Sequence, residues 1–138
     1  MDRSDLQEIA EMRLRESKIL FDNEEFAGAY YLAGYSIECA FKACIAKQIR
    51  HQEFPDKKFI LDSYTHDLDK LLNTSGLKNE LYNEIEGNQE LNANWSIVKD
   101  WSIDSRYIYE ISDRRAIDLI EAIDDNEDGI LNWLRKRW

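Results

Sequence analysis

The sequence predicts an all-α protein, an up-and-down bundle of four or five helices, on three observations. Apolar residues recur at helical spacing along most of the 138 residues. One proline and five glycines are too few for a fold built from many tight turns. One long segment is dense in small residues, which is what a helix at the centre of a bundle requires. A chain of this length encloses a real core, and no repeat, low-complexity tract or compositional break divides it. Residues 1–138 therefore read as one domain.

Leu6, Ile9, Ala10 and Leu14 open a first amphipathic helix, and Leu20 and Phe21 carry its apolar side to the end. Asn23 reads as an N-cap, with Glu24 and Glu25 in a first turn where the helix dipole favours acids. The second helix runs to about Gln48 through Ala27, Gly28, Ala29, Ala33, Gly34, Ala40, Ala43 and Ala46. Residues 51–64 hold the only proline and no helical stripe, so they read as an exposed connection. Thr65 caps a short helix over 67–72, which Ser75 and Gly76 stop. Leu77, Leu81, Tyr82 and Ile85 give two or three more turns, ending near Gly87. Leu91, Trp95, Val98 and Trp101 form a helix with an aromatic face, and 102–109 is ambiguous. Ser112 or Asp113 starts the last helix, with Ala116, Ile120, Ile123, Ile130, Leu131 and Leu134 inward. The acidic run Asp124 to Asp128 reads as a solvated face of that helix, because it lacks the alternating ligands and glycine of a calcium loop.

Composition narrows the function. The chain has 18 basic and 28 acidic residues, a net charge of −10 spread over its whole length. Such a chain is unsuited to duplex DNA, whose non-specific binding rests on neutralising phosphates. Cys39 and Cys44 point about 140° apart on a helix, so they read as small core residues and not as a disulfide, redox or metal pair. The amino-terminal stretch lacks the apolar run of a signal peptide. The longest near-apolar run, 26–37, is far short of the ~20 residues of a membrane span. A soluble, cytoplasmic protein with no membrane contact is expected. Glycine-rich phosphate loops, HExxH, CxxC and G-x-S-x-G are absent, and two histidines, His51 and His66, cannot build a histidine-rich metal site. No metal or cofactor is expected, and His66 reads as making a local structural hydrogen bond at the start of its helix.

Three constellations remain. Tyr31, Tyr35, Glu38 and Lys42 share one helical stripe, and a charged pair amid small residues is costly unless solvated or partnered. It reads as an ion pair at the core margin or as a polar patch at a cleft. Trp95, Trp101, Arg106, Tyr107 and Tyr109 supply the flat groups that stacking on a base requires, although an aromatic stripe also suits a core. Arg114 and Arg115, with Arg135, Lys136 and Arg137, form surface helix ends able to reach a phosphate.

The stretch Ala29-Tyr30-Tyr31-Leu32-Ala33-Gly34-Tyr35-Ser36-Ile37-Glu38-Cys39-Ala40-Phe41-Lys42 resembles the signature helix of the HEPN superfamily, an alanine-rich helix running into Ile-Glu-x-x-x-Lys. Thr65-His66-Asp67-Leu68, then Arg106-Tyr107 ahead of a final helix, agree with it in order. The resemblance implies a helical bundle, commonly a homodimer, often encoded in prokaryotes beside a minimal nucleotidyltransferase as a toxin–antitoxin or defence pair. It also implies a nucleotide or RNA ligand. Active members are metal-independent ribonucleases that use an arginine, four to six further residues, then a histidine. After Arg106 those positions hold Ile111, Ser112 and Asp113. The expectation is a module silent, or at most weakly active, in that chemistry. The alternatives are a ribonuclease pairing Arg106 with His66, Tyr107 or Tyr109, and a purely structural dimerisation module. The ligand patch expected is Glu38, Lys42, Trp101, Arg106, Tyr107 and Tyr109, with Glu38 as the salt-bridge partner of Arg106. No catalytic residue is assigned.

Overall fold

The computed structural model describes residues 1–49 and 53–138, so His51 and the start of the expected 51–64 connection lie outside the described residues. The described residues form eight α-helices, a 3-10 turn and no strand. The helices are α1 (Arg3–Asp22), α2 (Phe26–Gln48), α3 (Lys57–Ser63), α4 (Leu68–Thr74), α5 (Lys78–Glu86) and α6 (Gln89–Lys99). The 3-10 turn spans Ile103–Tyr107, followed by α7 (Asp113–Asp124) and α8 (Ile130–Arg135). The all-α bundle is as predicted, with more and shorter helices than four or five. Among the described residues no helix is long and apolar enough to cross a membrane.

The small-residue helix is the axis of the core. Thirteen of the 23 residues of α2 are buried, and it packs against α1, α4, the 3-10 turn, α7 and α8. Ala10 of α1 and Ala29, Ala33 and Ala40 of α2 are fully buried, so the first two helices lie close together. Two buried serines tie that contact: Ser17 Oγ donates to the Ala29 carbonyl at 2.6 Å, and Ser36 Oγ to the Ala10 carbonyl at 2.8 Å. At the start of α1, the Asp2 and Asp5 carboxylates each accept the other's backbone N–H.

Four local expectations are corrected. Asn23 caps the carboxyl end of α1 and is not the N-cap of α2; its side-chain amide donates to the Ile19 carbonyl at 2.8 Å. Glu24 follows with φ 62°, and the Glu24 and Glu25 N–H groups reach back to the Phe21 and Leu20 carbonyls. That is a Schellman end with glutamate in glycine's usual place. The connection after Pro55 carries α3, because the Asp56 carboxylate caps it by accepting the Phe59 N–H. Asp67, not Thr65, caps α4, accepting from the Asp69 and Lys70 N–H groups.

The fourth correction concerns the acidic run, which ends α7 and is no face of a continuous helix. The Asp125 carboxylate accepts the Glu127 and Asp128 N–H groups, and a side chain at Gly129 would run into the Ile123 and Asp125 carbonyls. Asn88 and Asn94 of the α6 region then bind Asp128. The chain turns tightly there because glycine lets it, and α8 starts afresh.

Candidate functional site

Glu38 sits on the core face of α2 with 2% of its surface exposed. A carboxylate taken out of water needs partners, and Glu38 has two. Lys42, one turn on, donates to its Oε1 at 2.9 Å. His66 Nδ1 lies 2.8 Å from the same oxygen. The other oxygen, Oε2, is buried and has no hydrogen-bond partner. The carboxylate also pushes the neighbouring Cys39 thiol up to about 11, after burial, which is the larger cause. Tyr35 is raised in turn, first by burial and then by Cys39 and Glu38.

Trp101 closes the site above Gly34. Its indole lies so close to that residue that a Cβ there would overlap the ring, which is why α2 carries glycine at this position. Trp101 stacks on Tyr31 at 6.3 Å, and Tyr31 on Tyr35 at 6.1 Å. A surface groove of about 560 Å³ runs beside this stack, lined by 65–68 from the start of α4 and 99–103 from the end of α6 onward. His66 and Trp101 share its wall, and the imidazole is half exposed. Beyond Ile103 the 3-10 turn presents Arg106 over the Tyr107 ring, with the guanidinium carbon 4.7 Å from its centroid. Tyr107 is 72% exposed and Tyr109 88%. Among the described residues no carboxylate pairs with Arg106.

Comparison with protein-family models matches the HEPN domain over residues 4–136. The chain belongs to the HEPN family. Neither the curated proteins nor the solved structures give a match. Membership makes the chain a nucleotide- or RNA-related helical module, of a kind that often dimerises. Ile111, Ser112 and Asp113, where a HEPN nuclease keeps its histidine, have structural work instead. Ile111 packs on the core, the Ser112 hydroxyl caps α7 by accepting the Arg115 N–H, and the Asp113 carboxylate accepts the Arg114 N–H.

The expected ligand patch divides into a buried part and an exposed part. Glu38 and Trp101 are buried, Lys42 lies at the margin, and Arg106, Tyr107 and Tyr109 stand on the surface. The expected Glu38–Arg106 pair does not form; Lys42 and His66 take the carboxylate. Trp95 is core, edge-on to Phe41 at 6.1 Å, so it cannot stack on a ligand. Trp138 is half buried against the core and does not offer an exposed ring.

The basic helix ends are mostly spoken for. Arg135 grips Glu11 through two hydrogen bonds of 2.6 and 2.7 Å, and Arg137 binds Glu80 and Glu84 while lying over Trp133. Arg115 covers Tyr30, and Arg114 faces Asp118.

His66 is the residue that sequence reasoning misplaced. Its hydrogen bond is long-range, to a residue 28 positions earlier, and not local. The signal was present only in part: a charged pair on a buried helix face calls for one more partner, and nothing in the sequence says which polar residue supplies it.

Proposed function

We propose that this HEPN chain, a single domain in the cytoplasm, is an RNA- or nucleotide-binding module. In this reading it works as a homodimer with a nucleotidyltransferase partner in a prokaryotic toxin–antitoxin or defence pair. Cleavage through the family's arginine–histidine pair is closed to it, since structural residues fill the histidine positions. The observation that carries the binding reading is Arg106, with which no carboxylate pairs among the described residues and whose guanidinium lies over Tyr107 on an exposed turn near Tyr109 in sequence. A planar fork with a stacked ring can hold a phosphate through two parallel hydrogen bonds, and the exposed tyrosines offer faces to bases.

The test is fluorescence anisotropy of a labelled single-stranded RNA, and competition by mononucleotides, with the wild type and Arg106→Lys. Lysine keeps the charge and loses the fork. Weaker binding at unchanged melting temperature supports the reading. Equal binding by both proteins, or none by the wild type, refutes it and favours a purely structural module. Light scattering reads the dimer, and co-purification from the native host reads the nucleotidyltransferase.

A further inference from the structure

A larger groove, of about 700 Å³, opens between the carboxyl-terminal parts of α1 and α7. Its floor is apolar: Phe21 comes from α1, and Ile117 and Ile120 from α7. Lys18 and Asp124 join its walls by a salt bridge of 2.5 Å. The other edge of α7 borders a smaller hollow of about 220 Å³, where Ile97 and Ala122 are the apolar lining. Ile97 is exposed there, although Leu91, Trp95 and Val98 of the same helix are buried.

Charge around the two hollows is one-sided. Glu121 and Asp125 line both and form the ridge between them, while Asp22 and Glu90 stand on the far walls, from α1 and α6. Asp22, Glu90 and Glu121 are exposed, and among the described residues none has a cation partner. Lys18 is the one base lining either hollow, and Asp124 already holds it. Glu121 and Asp125 are four residues apart at the carboxyl end of α7, whose last turn has no base. Like charges at that spacing repel each other, and the helix dipole favours cations there. A cation laid over the ridge relieves both. Among the described residues no three acids converge as metal ligands would, so a side-chain cation suits the ridge better than a metal ion.

Spacing selects the form of the partner. A helix with its side chains is about 10 Å across, so the hollows on either side of α7 are about that far apart. Two turns of a helix rise about 11 Å, which seats apolar residues seven positions apart in the two hollows. The turn between them then lies over Glu121 and Asp125. A second copy of this chain is a poor occupant, because its basic helix ends already bind Glu11, Glu80 and Glu84.

We propose that the α7 ridge and its two hollows dock a basic amphipathic helix of a partner protein, with apolar residues at i and i+7 and lysine or arginine between them. The proposal shares no residue with the RNA-binding reading and is tested apart from it.

The probe is a fluorescein-labelled, alanine-rich helical peptide with two leucines seven positions apart and lysines in the turn between them, titrated with the full chain. We expect saturable binding that weakens with added salt, since the acids are exposed. Peptides with serine for leucine, or with glutamate for lysine, should bind about 10-fold more weakly or worse. Glu121→Lys should lose about 10-fold for the lysine peptide and gain the glutamate peptide, at unchanged melting temperature. Glu8→Lys makes the same charge change on an exposed residue about 15 Å back along α1, and should bind as the wild type does. No binding by the wild type overturns the proposal. Equal binding of the serine peptide, or an equal loss in Glu8→Lys, also overturns it and leaves only unspecific charge attraction. Self-association that Glu121→Lys abolishes, without peptide binding, overturns it and gives the face to a second copy.

Discussion

Gly34→Ala tests how Trp101 is seated. Alanine is the better helix former, by about 1 kcal/mol in a helix interior, so on propensity alone α2 should gain. The indole prevents it. Three atoms of the Trp101 ring lie within overlap distance of a Cβ at this position. The ring cannot retreat freely, since Trp101 is 3% exposed and stacked on Tyr31.

Overpacking of this kind costs about 1–3 kcal/mol. Displacing the indole into the groove exposes part of its 150–250 Å² face at about 25 cal/mol per Å², adding about 2 kcal/mol if a third to a half is uncovered. Set against the propensity gain, the net loss is about 2–4 kcal/mol, or some 7–14 °C in Tm for a chain this size.

Gly28→Ala is the matched control on the same helix. There the new methyl meets only Leu20 Cδ1, at 3.2 Å, the free end of a flexible side chain. That variant should be neutral or gain up to about 1 kcal/mol. Urea unfolding followed by far-ultraviolet circular dichroism separates the two, with m unchanged in both. If Gly34→Ala is as stable as Gly28→Ala, Trp101 is not locked over α2 and the groove wall described above is wrong.

Three further outcomes are expected. Glu24→Gly should stabilise the chain by about 1 kcal/mol, because the residue holds a left-handed φ at the end of α1; a lower urea midpoint would contradict this. Cys39 and Cys44, both buried and both raised to about 11 from 9.0, should resist a thiol reagent at pH 8 until the protein is unfolded. Their raised pKa values favour the folded state below pH 9, and that contribution is lost as pH rises from 9 to 11, so the urea midpoint should fall across that window. Arg135→Lys should cost about 1 kcal/mol, since lysine cannot reproduce the two hydrogen bonds to the partly exposed Glu11; an unchanged melting temperature would show the pair to be idle.

The bundle was readable in the sequence where one physical signal dominated. The alanine and glycine positions of α2 could only suit a crowded interior, and that helix is indeed the core's axis. Signals failed where two local devices competed for the same residues. Asn23 suits either end of a helix, and what decides between them is the backbone of Glu24, a left-handed turn that glutamate does not announce. Asp124 to Asp128 has the charge of an exposed helix face, yet Asp125 caps its own turn and Gly129 permits a backbone approach that no other residue would.

The site failed differently. The Glu38–Lys42 pair was legible, but its third partner was not, because that depends on where the connection before α4 crosses α2. Thr65 to Asp67 lays His66 against Glu38, leaving Arg106 on the turn beyond. An expected arginine–glutamate pair would have tied both groups down inside the core. The observed one leaves the Arg106 guanidinium exposed on the 3-10 turn and the His66 imidazole half exposed in the groove wall. The fold accounts for His66, as a partner that a buried carboxylate needs, and leaves Arg106, set over Tyr107 on an exposed turn, as the group that the RNA-binding test addresses.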